Sequence, residues 1–216
     1  MGIKTREFLV DTEKIKMDII ETIVPILEKD GIIAYPTETF YGLGGNIFSP
    51  EAVNKIYNIK GRDFSKPLSV VIADTDMIPL LASEIPGVLS EVASRFWPGP
   101  LTVVLKASAE LPRRMTGPKG TIGIRLPASP WVRALVRRAG FPLTATSANL
   151  SGEKNPDDPE SVRRDFWGKI DALVNGGRTP GGKPSTVLDL SLPDAPILRE
   201  GAVPASDLAW LRKPRS

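Results

Sequence analysis

Three cations fall within seven residues at Lys60, Arg62 and Lys66, in the run Lys60-Gly61-Arg62-Asp63-Phe64-Ser65-Lys66-Pro67. Glycine and proline mark this run as a loop, and two readings of it stand open. It is a solvated basic face, or it is an anion clamp in which an Arg fork and Lys point charges meet phosphate or carboxylate. Arg125 is a further cation, set in the otherwise apolar run 121–126. Its stem can pack while its head reaches water, or its planar fork can hold a carboxylate through two bonds. Thr37, Glu38 and Thr39 close the apolar run 32–35, where hydroxyls can meet a small polar ligand. Ser147-Ala148-Asn149 is a small-residue turn, a type that often does nothing but turn. Asn155, Ser185 and Arg199 have bland readings as a loop amide, a strand-start hydroxyl and a surface cation.

What is missing limits the chemistry further. The 216 residues include no histidine and no cysteine. A Ser-His-Asp arrangement, a thiolate nucleophile, a histidine-bearing metal site and a disulfide framework are therefore all excluded. Catalysis must rest on Lys, Arg, carboxylates, hydroxyls, backbone dipoles or a borrowed cation. Two glycine-rich runs imitate phosphate-binding motifs. Residues 177–183 carry the glycine and lysine spacing of a P-loop, but Pro184 follows where Ser or Thr is needed. An apolar β-like run comes next instead of the helix whose N-terminus would cradle phosphate. The glycines at 42, 44 and 45 do not form a dinucleotide fingerprint, because Ile47 stands where a further glycine belongs. They are read instead as a tight turn or a close approach to ligand.

The elements that must position these residues alternate between strand and helix. Strands are expected at 8–10, 32–35, in the apolar run ending at 73, and at 101–106, 121–126, 142–147, 172–175, 186–190 and 197–200. Arg125 falls on the face opposite Ile122 and Ile124. Helices are expected within 14–29, kinked or delayed by Pro25. Another follows Ser49-Pro50-Glu51, an N-cap, a first-turn proline and an early acid, and buries Val53, Ile56 and Tyr57. Further helices are expected at 75–82, 88–97, from Ser129-Pro130 to near Gly140, at 159–167 and at 204–211. Residues 108–120 read as loop, and the 213–216 tail as frayed. No repeat or linker divides the chain, so a single α/β domain over 1–216 is the reading, with its core at about 15–205. No apolar run reaches membrane-spanning length and no signal-peptide pattern opens the chain, so a soluble cytoplasmic protein is expected. The net charge of +3 favours anionic partners only weakly. The paired arginines at 113–114, 137–138 and 163–164 read as solvated faces more than as a nucleic-acid track.

PTETFYGLG followed by KGRDFSKPLSVVI resembles the YrdC/TsaC family, the L-threonylcarbamoyladenylate synthases. Lys60-Gly61-Arg62 matches that family's K-x-R element and Ser147-Ala148-Asn149 its S-x-N element. PTET, KGR, PGPLT, TIGIR, TSANLSG, PSTV and ILREG follow in order, over roughly residues 15–205. The resemblance implies a YrdC-like twisted mixed sheet, flanked by helices, with an open concave face. It implies synthesis of L-threonylcarbamoyl-adenylate and pyrophosphate from L-threonine, bicarbonate or CO2, and ATP with Mg²⁺. That product feeds the modification of adenosine in tRNA through downstream tRNA-modification proteins. Thr39, Arg125 and Ser185, with the Ala145 backbone, match threonine-binding positions. Arg62, Lys66, Thr121, Ser147, Asn155 and Arg199 match nucleotide-binding positions, with Asn149 completing the S-x-N element. Lys60 and Arg62 match the pair that faces the phosphates. No protein-held metal ligands are implied. Some members carry a histidine where this chain has Val71. The extra C-terminal domain of longer relatives is not expected here, nor a lid built from it.

Other readings remain beside the enzyme. One is an RNA-binding module with a cationic concave surface, contacting tRNA or double-stranded RNA. Another is a carbamoyl-adenylate chemistry with a different carbamate donor.

Overall fold

A computed structural model describes residues 2–212, so the 213–216 tail lies outside the described residues. In chain order the elements are β1 (Arg6–Leu9), α1 (Met17–Glu28), β2 (Ile33–Pro36), β3 (Tyr41–Gly44), α2 (Pro50–Lys60), β4 (Ser69–Val71), α3 (Val88–Phe96), β5 (Leu101–Lys106), α4 (Arg113–Thr116), β6 (Thr121–Arg125), α5 (Pro130–Ala139), β7 (Leu143–Thr144), β8 (Thr146–Ser147), α6 (Pro159–Phe166), β9 (Ala172–Asn175), β10 (Thr186–Asp189) and β11 (Ile197–Arg199). Two 3₁₀ segments lie at Thr75–Leu80 and Ala205–Arg212. The α/β class holds, and the strands are shared between two sheets. One runs β1-β9-β2-β3-β8 and the other β11-β10-β5-β6-β4-β7. Each mixes parallel pairs, such as β2 with β9 and β4 with β6, with antiparallel ones, such as β2 with β3 and β5 with β6.

Several strands are buried on both faces, and their side chains alternate between two cores. In β4, Val70 joins the core packed by α2, α3 and α6, while Val71 joins the core of α1 and α5. β2 divides the same way, with Ala34 in the first core and Ile33 and Tyr35 in the second. β6 departs from this pattern where function begins. Ile122 and Ile124 enter the first core, and the alternate positions carry Gly123 and Arg125.

The helix starts follow the local chemistry read from the sequence. Ser49 accepts the Ala52 N–H and Ser129 the Val132 N–H, each just before a proline at the first helical turn. Gly61 and Gly140 end their helices in the left-handed conformation, at φ +57 and +78. α1 begins at Met17, later than the apolar spacing that opens at Lys14, and carries Pro25 inside it.

Other expectations are corrected. Residues 42–45 are no turn, for Gly42 and Gly44 belong to the buried strand β3. A Cβ at Gly44 would stand 2.7 Å from the Tyr35 ring, and one at Gly45 would stand 2.8 Å from Ile32 Cδ1. These glycines make room for a tyrosine and an isoleucine. The expected strand 142–147 is two strands in different sheets, β7 on β4 and β8 on β3. The chain crosses between sheets at Ala145, whose N–H donates to Ser69 O at 2.7 Å. Thr144 secures the crossing, as its hydroxyl accepts the Gly45 N–H and donates to Leu43 O, both at 3.0 Å. The 108–120 loop contains the short helix α4, held by burial of Met115 and by the Tyr57 hydroxyl donating to Arg114 O. The expected helices at 75–82 and 204–211 are 3₁₀, and in the first Pro79 has no N–H to give an α-helical ladder.

Candidate functional site

The two sheets part around a cavity of about 160 Å³, an order of magnitude above the roughly 10–15 Å³ that one water needs. The five-stranded sheet supplies Tyr41 and Gly42 of β3 and Thr146 and Ser147 of β8. The six-stranded sheet supplies Ser69 and Val71 of β4, Thr102 of β5, Arg125 of β6 and Arg199 of β11. Loops add Thr37, Thr39, Arg62, Asn155 and Ser185. Of the residues singled out in the sequence, Thr39, Arg62, Arg125, Ala145, Ser147, Asn155, Ser185 and Arg199 meet here. Lys60, Lys66, Thr121 and Asn149 do not line the cavity.

The charge at this wall is of one sign. Arg62, Arg125 and Arg199 line it, and among the described residues no carboxylate does. Burial holds the Arg199 guanidinium below its ordinary pKa, and the Arg125 and Arg62 charges add to this. Mutual repulsion among partly desolvated cations is relieved by an anion between them. Each arginine is anchored before any ligand arrives. Arg62 donates to Lys66 O at 3.0 Å and Pro67 O at 3.1 Å. Arg199 donates through Nη2 to Ser185 O at 2.7 Å and to Ser185 Oγ at 3.2 Å. Arg125 donates through Nε to Gly99 O at 3.2 Å, and its two terminal nitrogens lie 3.4 Å from the Thr39 hydroxyl. Its Nη2 also pairs with Glu38 Oε1 at 2.7 Å, behind the wall.

The cations of residues 60–67 go three ways. Arg62 faces the cavity, Lys66 is exposed, and Lys60 is buried with only 2% of its surface accessible. Lys60 Nζ donates to Ser147 O, to Asn149 O at 2.6 Å and to Asn149 Oδ1 at 3.3 Å. Its own carbonyl accepts the Ser151 N–H at 3.0 Å. The Ser147 hydroxyl completes the knot by donating to Asn149 Oδ1 at 2.6 Å, and Asn149 Nδ2 donates to Glu153 O at 2.6 Å. Burial, and secondarily Arg62, pull the Lys60 pKa from 10.5 to about 7. The K-x-R and S-x-N elements thus lock together as one structural unit, with Arg62 and Ser147 as its cavity-facing edge. Thr121 opens β6 opposite Lys106, away from the cavity.

The run 177–183 is followed by coil and then β10, without the helix that a P-loop requires. It braces the site instead. The Thr179 hydroxyl and the Gly181 N–H both donate to Thr39 O at 2.9 Å, and Arg178 pairs with Asp157 at 3.0 Å.

Sequence reasoning missed Glu38 as the partner of Arg125, and it missed Ser69, Thr102 and Tyr35 as cavity wall. Thr102 had a signal, being the one polar residue between Leu101 and Leu105 of β5. Tyr35 had none, since its hydroxyl is committed to Thr144 O at 2.8 Å and only its position in the fold brings it here.

A family model for Sua5/YciO/YrdC proteins, described as "Telomere recombination", matches residues 25–201. The threonylcarbamoyl-AMP synthase of Pyrococcus abyssi is 39% identical over 196 residues, 91% of this chain and 58% of that protein. The putative threonylcarbamoyl-AMP synthase of Methanocaldococcus jannaschii is 32% identical over 211 residues, 97% of this chain and 99% of that one. The crystal structure of P. abyssi Sua5 complexed with L-threonine superposes with a TM-score of 0.92 at 38% identity, covering 96% of this chain and 61% of that chain. The chain therefore spans about three fifths of the length of the P. abyssi protein.

Proposed function

Since the chain belongs to the Sua5/YciO/YrdC family, we propose that it joins L-threonine, bicarbonate or CO2, and ATP into L-threonylcarbamoyl-adenylate and releases pyrophosphate. The observation that carries this reading is the convergence of Arg62, Arg125 and Arg199 on a wall free of carboxylates, among hydroxyls sized for a small polar solute. The complex of P. abyssi Sua5 with L-threonine supports L-threonine as the amino-acid substrate. Arg125 would take the substrate carboxylate, with Thr39, Ser185 and the Ala145 backbone around it. Arg62, Ser147, Asn155 and Arg199 would take the nucleotide, with Lys66 and Thr121 at its outer reach. Lys60 and Asn149 would act by holding the Ser147 turn and Arg62 in place.

In this scheme the threonine ammonium gives one proton to solvent, and the resulting amine adds to CO2, losing a second proton to solvent as the carbamate forms. A carbamate oxygen attacks the α-phosphorus in line, the bond to the β-phosphate oxygen breaks, and pyrophosphate leaves. Such transfer depends on positioning and charge stabilisation, which arginines and hydroxyls supply without histidine. Mg²⁺ bound to the nucleotide would supply charge stabilisation to its phosphates. Among the described residues no group of three or more His, Cys, Asp or Glu is gathered to hold an ion, so its ligands would be phosphate oxygens and water. Delivery of the product to tRNA modification and a cytoplasmic location belong to the same proposal. RNA binding as the main role is not favoured, because the arginines at 137–138 and 163–164 are spent locally. Arg137 pairs with Asp74, Arg138 with Glu21, Arg163 with Glu7, and Arg164 with Asp165.

The test is product mass spectrometry after incubation with ATP, L-threonine and labelled bicarbonate. The expected result is a labelled threonylcarbamoyl-adenylate with matching pyrophosphate. Pyrophosphate release that ignores threonine and bicarbonate would overturn the proposal, and serine or carbamoyl phosphate as the better substrate would redirect it to another carbamoyl-adenylate chemistry.

A further inference from the structure

We propose that Thr102 is a positioning residue for the amino-acid substrate, acting through the proton of the Ser185 hydroxyl; this rests on the function proposed above. Thr102 lies in β5, 3% accessible, directly across from Arg125 on the neighbouring strand β6, since Val103 pairs with Ile124. It lines the cavity beside Ser185, and the two hydroxyl oxygens are 2.9 Å apart. Either oxygen of that pair could donate, and the proposal is the arrangement in which Thr102 donates, because only that one leaves the Ser185 proton to the cavity. Arg199 Nη2 already donates to Ser185 Oγ at 3.2 Å, so this oxygen is an acceptor before Thr102 is considered. A hydroxyl has one proton and two acceptor sites. If Thr102 donates, Ser185 accepts twice and its single proton is left to point into the cavity. If Ser185 donates, the cavity receives no proton from it, and the proton offered there is that of Thr102, which also lines the cavity.

The first arrangement satisfies both hydroxyls once an acceptor enters the cavity, and the carboxylate of an amino acid held by Arg125 is such an acceptor. Thr102 thereby sets the direction of the Ser185 O–H without touching the substrate. Gly123 leaves this arrangement its space. A Cβ there would stand 2.9 Å from Ser69 Oγ and 3.2 Å from Thr102 Cγ2, forcing both side chains to shift.

Thr102→Val removes the hydroxyl at nearly constant shape in a strand that suits a β-branched residue. It should raise the KM for L-threonine about two- to tenfold, the range of one hydrogen bond lost to a ligand, while kcat and the KM for ATP stay within about twofold. Thr102→Ser should restore the wild-type KM. In a double-mutant cycle, Thr102→Val should add nothing to Ser185→Ala, because the first change acts only through the second side chain. L-threonine affinity by calorimetry, on the full chain without nucleotide, should follow the KM values. Should Thr102→Val not fold, Thr102→Ala against Thr102→Ser carries the same comparison. An unchanged or lowered threonine KM in Thr102→Val would overturn the assignment, and so would additive effects in the cycle. Failure of the wild type to turn over threonine would instead count against the proposed function, and calorimetry on the same variants would still judge the role of Thr102.

Discussion

At the scale of single residues, two ion-bearing groups, Glu38 partly buried and Lys60 buried, carry the site without standing in it. Glu38 is the carboxylate partner of Arg125, and it also accepts the Ala128 N–H at 2.8 Å, tying the turn before α5 to the cavity wall. With the Arg125 and Glu38 side chains 10% and 19% exposed, truncating the acid strands a buried positive charge. Glu38→Ala should therefore lose about 3 kcal/mol of stability, near the low end for breaking a buried pair. Urea unfolding measures this, and a loss below about 1 kcal/mol would show that water reaches Arg125 freely. Lys60 makes a prediction in pH. Its folded pKa is about 7, against an ordinary 10.5. Below pH 7 both folded and unfolded chains carry its proton, and the full burial penalty is present. Between those two values the unfolded chain binds a proton that the folded chain lacks, so stability rises with pH across that window. Compared with Lys60→Met at pH 6, 8 and 9.5, the wild type should gain ground steadily; a constant difference would mean that Lys60 keeps its proton throughout.

At the scale of elements, the β2–β3 hairpin is organised by one ring. Tyr35 occupies the space that side chains at 42 and 44 would need, and its hydroxyl reaches the sheet crossing at Thr144. Gly44→Ala brings a methyl to 2.7 Å from Tyr35 Cε1. It should destabilise by about 1–3 kcal/mol, as overpacked cores do. Gly87→Ala is the matched control, because a Cβ there meets nothing within 4 Å and φ is −56. It should be neutral or slightly stabilising through the unfolded chain. Thermal melts of the two variants would decide, and equal effects would refute the packing account.

At the scale of the whole molecule, the cavity exists because two sheets diverge while the chain passes between them at Ala145. Its arginines come from different places: Arg125 from the centre of one sheet, Arg62 from the loop after α2. If the site has an amino-acid half and a nucleotide half, Arg62→Ala should weaken nucleotide binding by about 1.5–3 kcal/mol, the scale of a charge-assisted hydrogen bond. Threonine binding should hardly change. Arg62→Lys should recover only part, since the ammonium lacks the planar fork. Arg125→Ala should show the reverse pattern. Calorimetry with each ligand on each variant would expose a shared site if both changes weakened both ligands equally.

Local chemistry already determined the helix caps at Ser49 and Ser129, the glycine stops at Gly61 and Gly140, the alternation that sets Arg125 against Ile122 and Ile124, and the failure of residues 177–183 as a P-loop. Each depends on neighbours within a turn or a strand period, so the sequence holds the whole cause. Which cations face the ligand was not legible that way. Lys60, Arg62 and Lys66 are near neighbours in sequence, yet one is buried on backbone carbonyls, one lines the cavity and one is exposed. The fate of Lys60 is set by Ser147 and Asn149, almost ninety residues on. The split of residues 142–147 between two sheets and the pairing of Glu38 with Arg125 have the same origin. They are contacts between segments distant along the chain, and only the packed structure decides which of them meet.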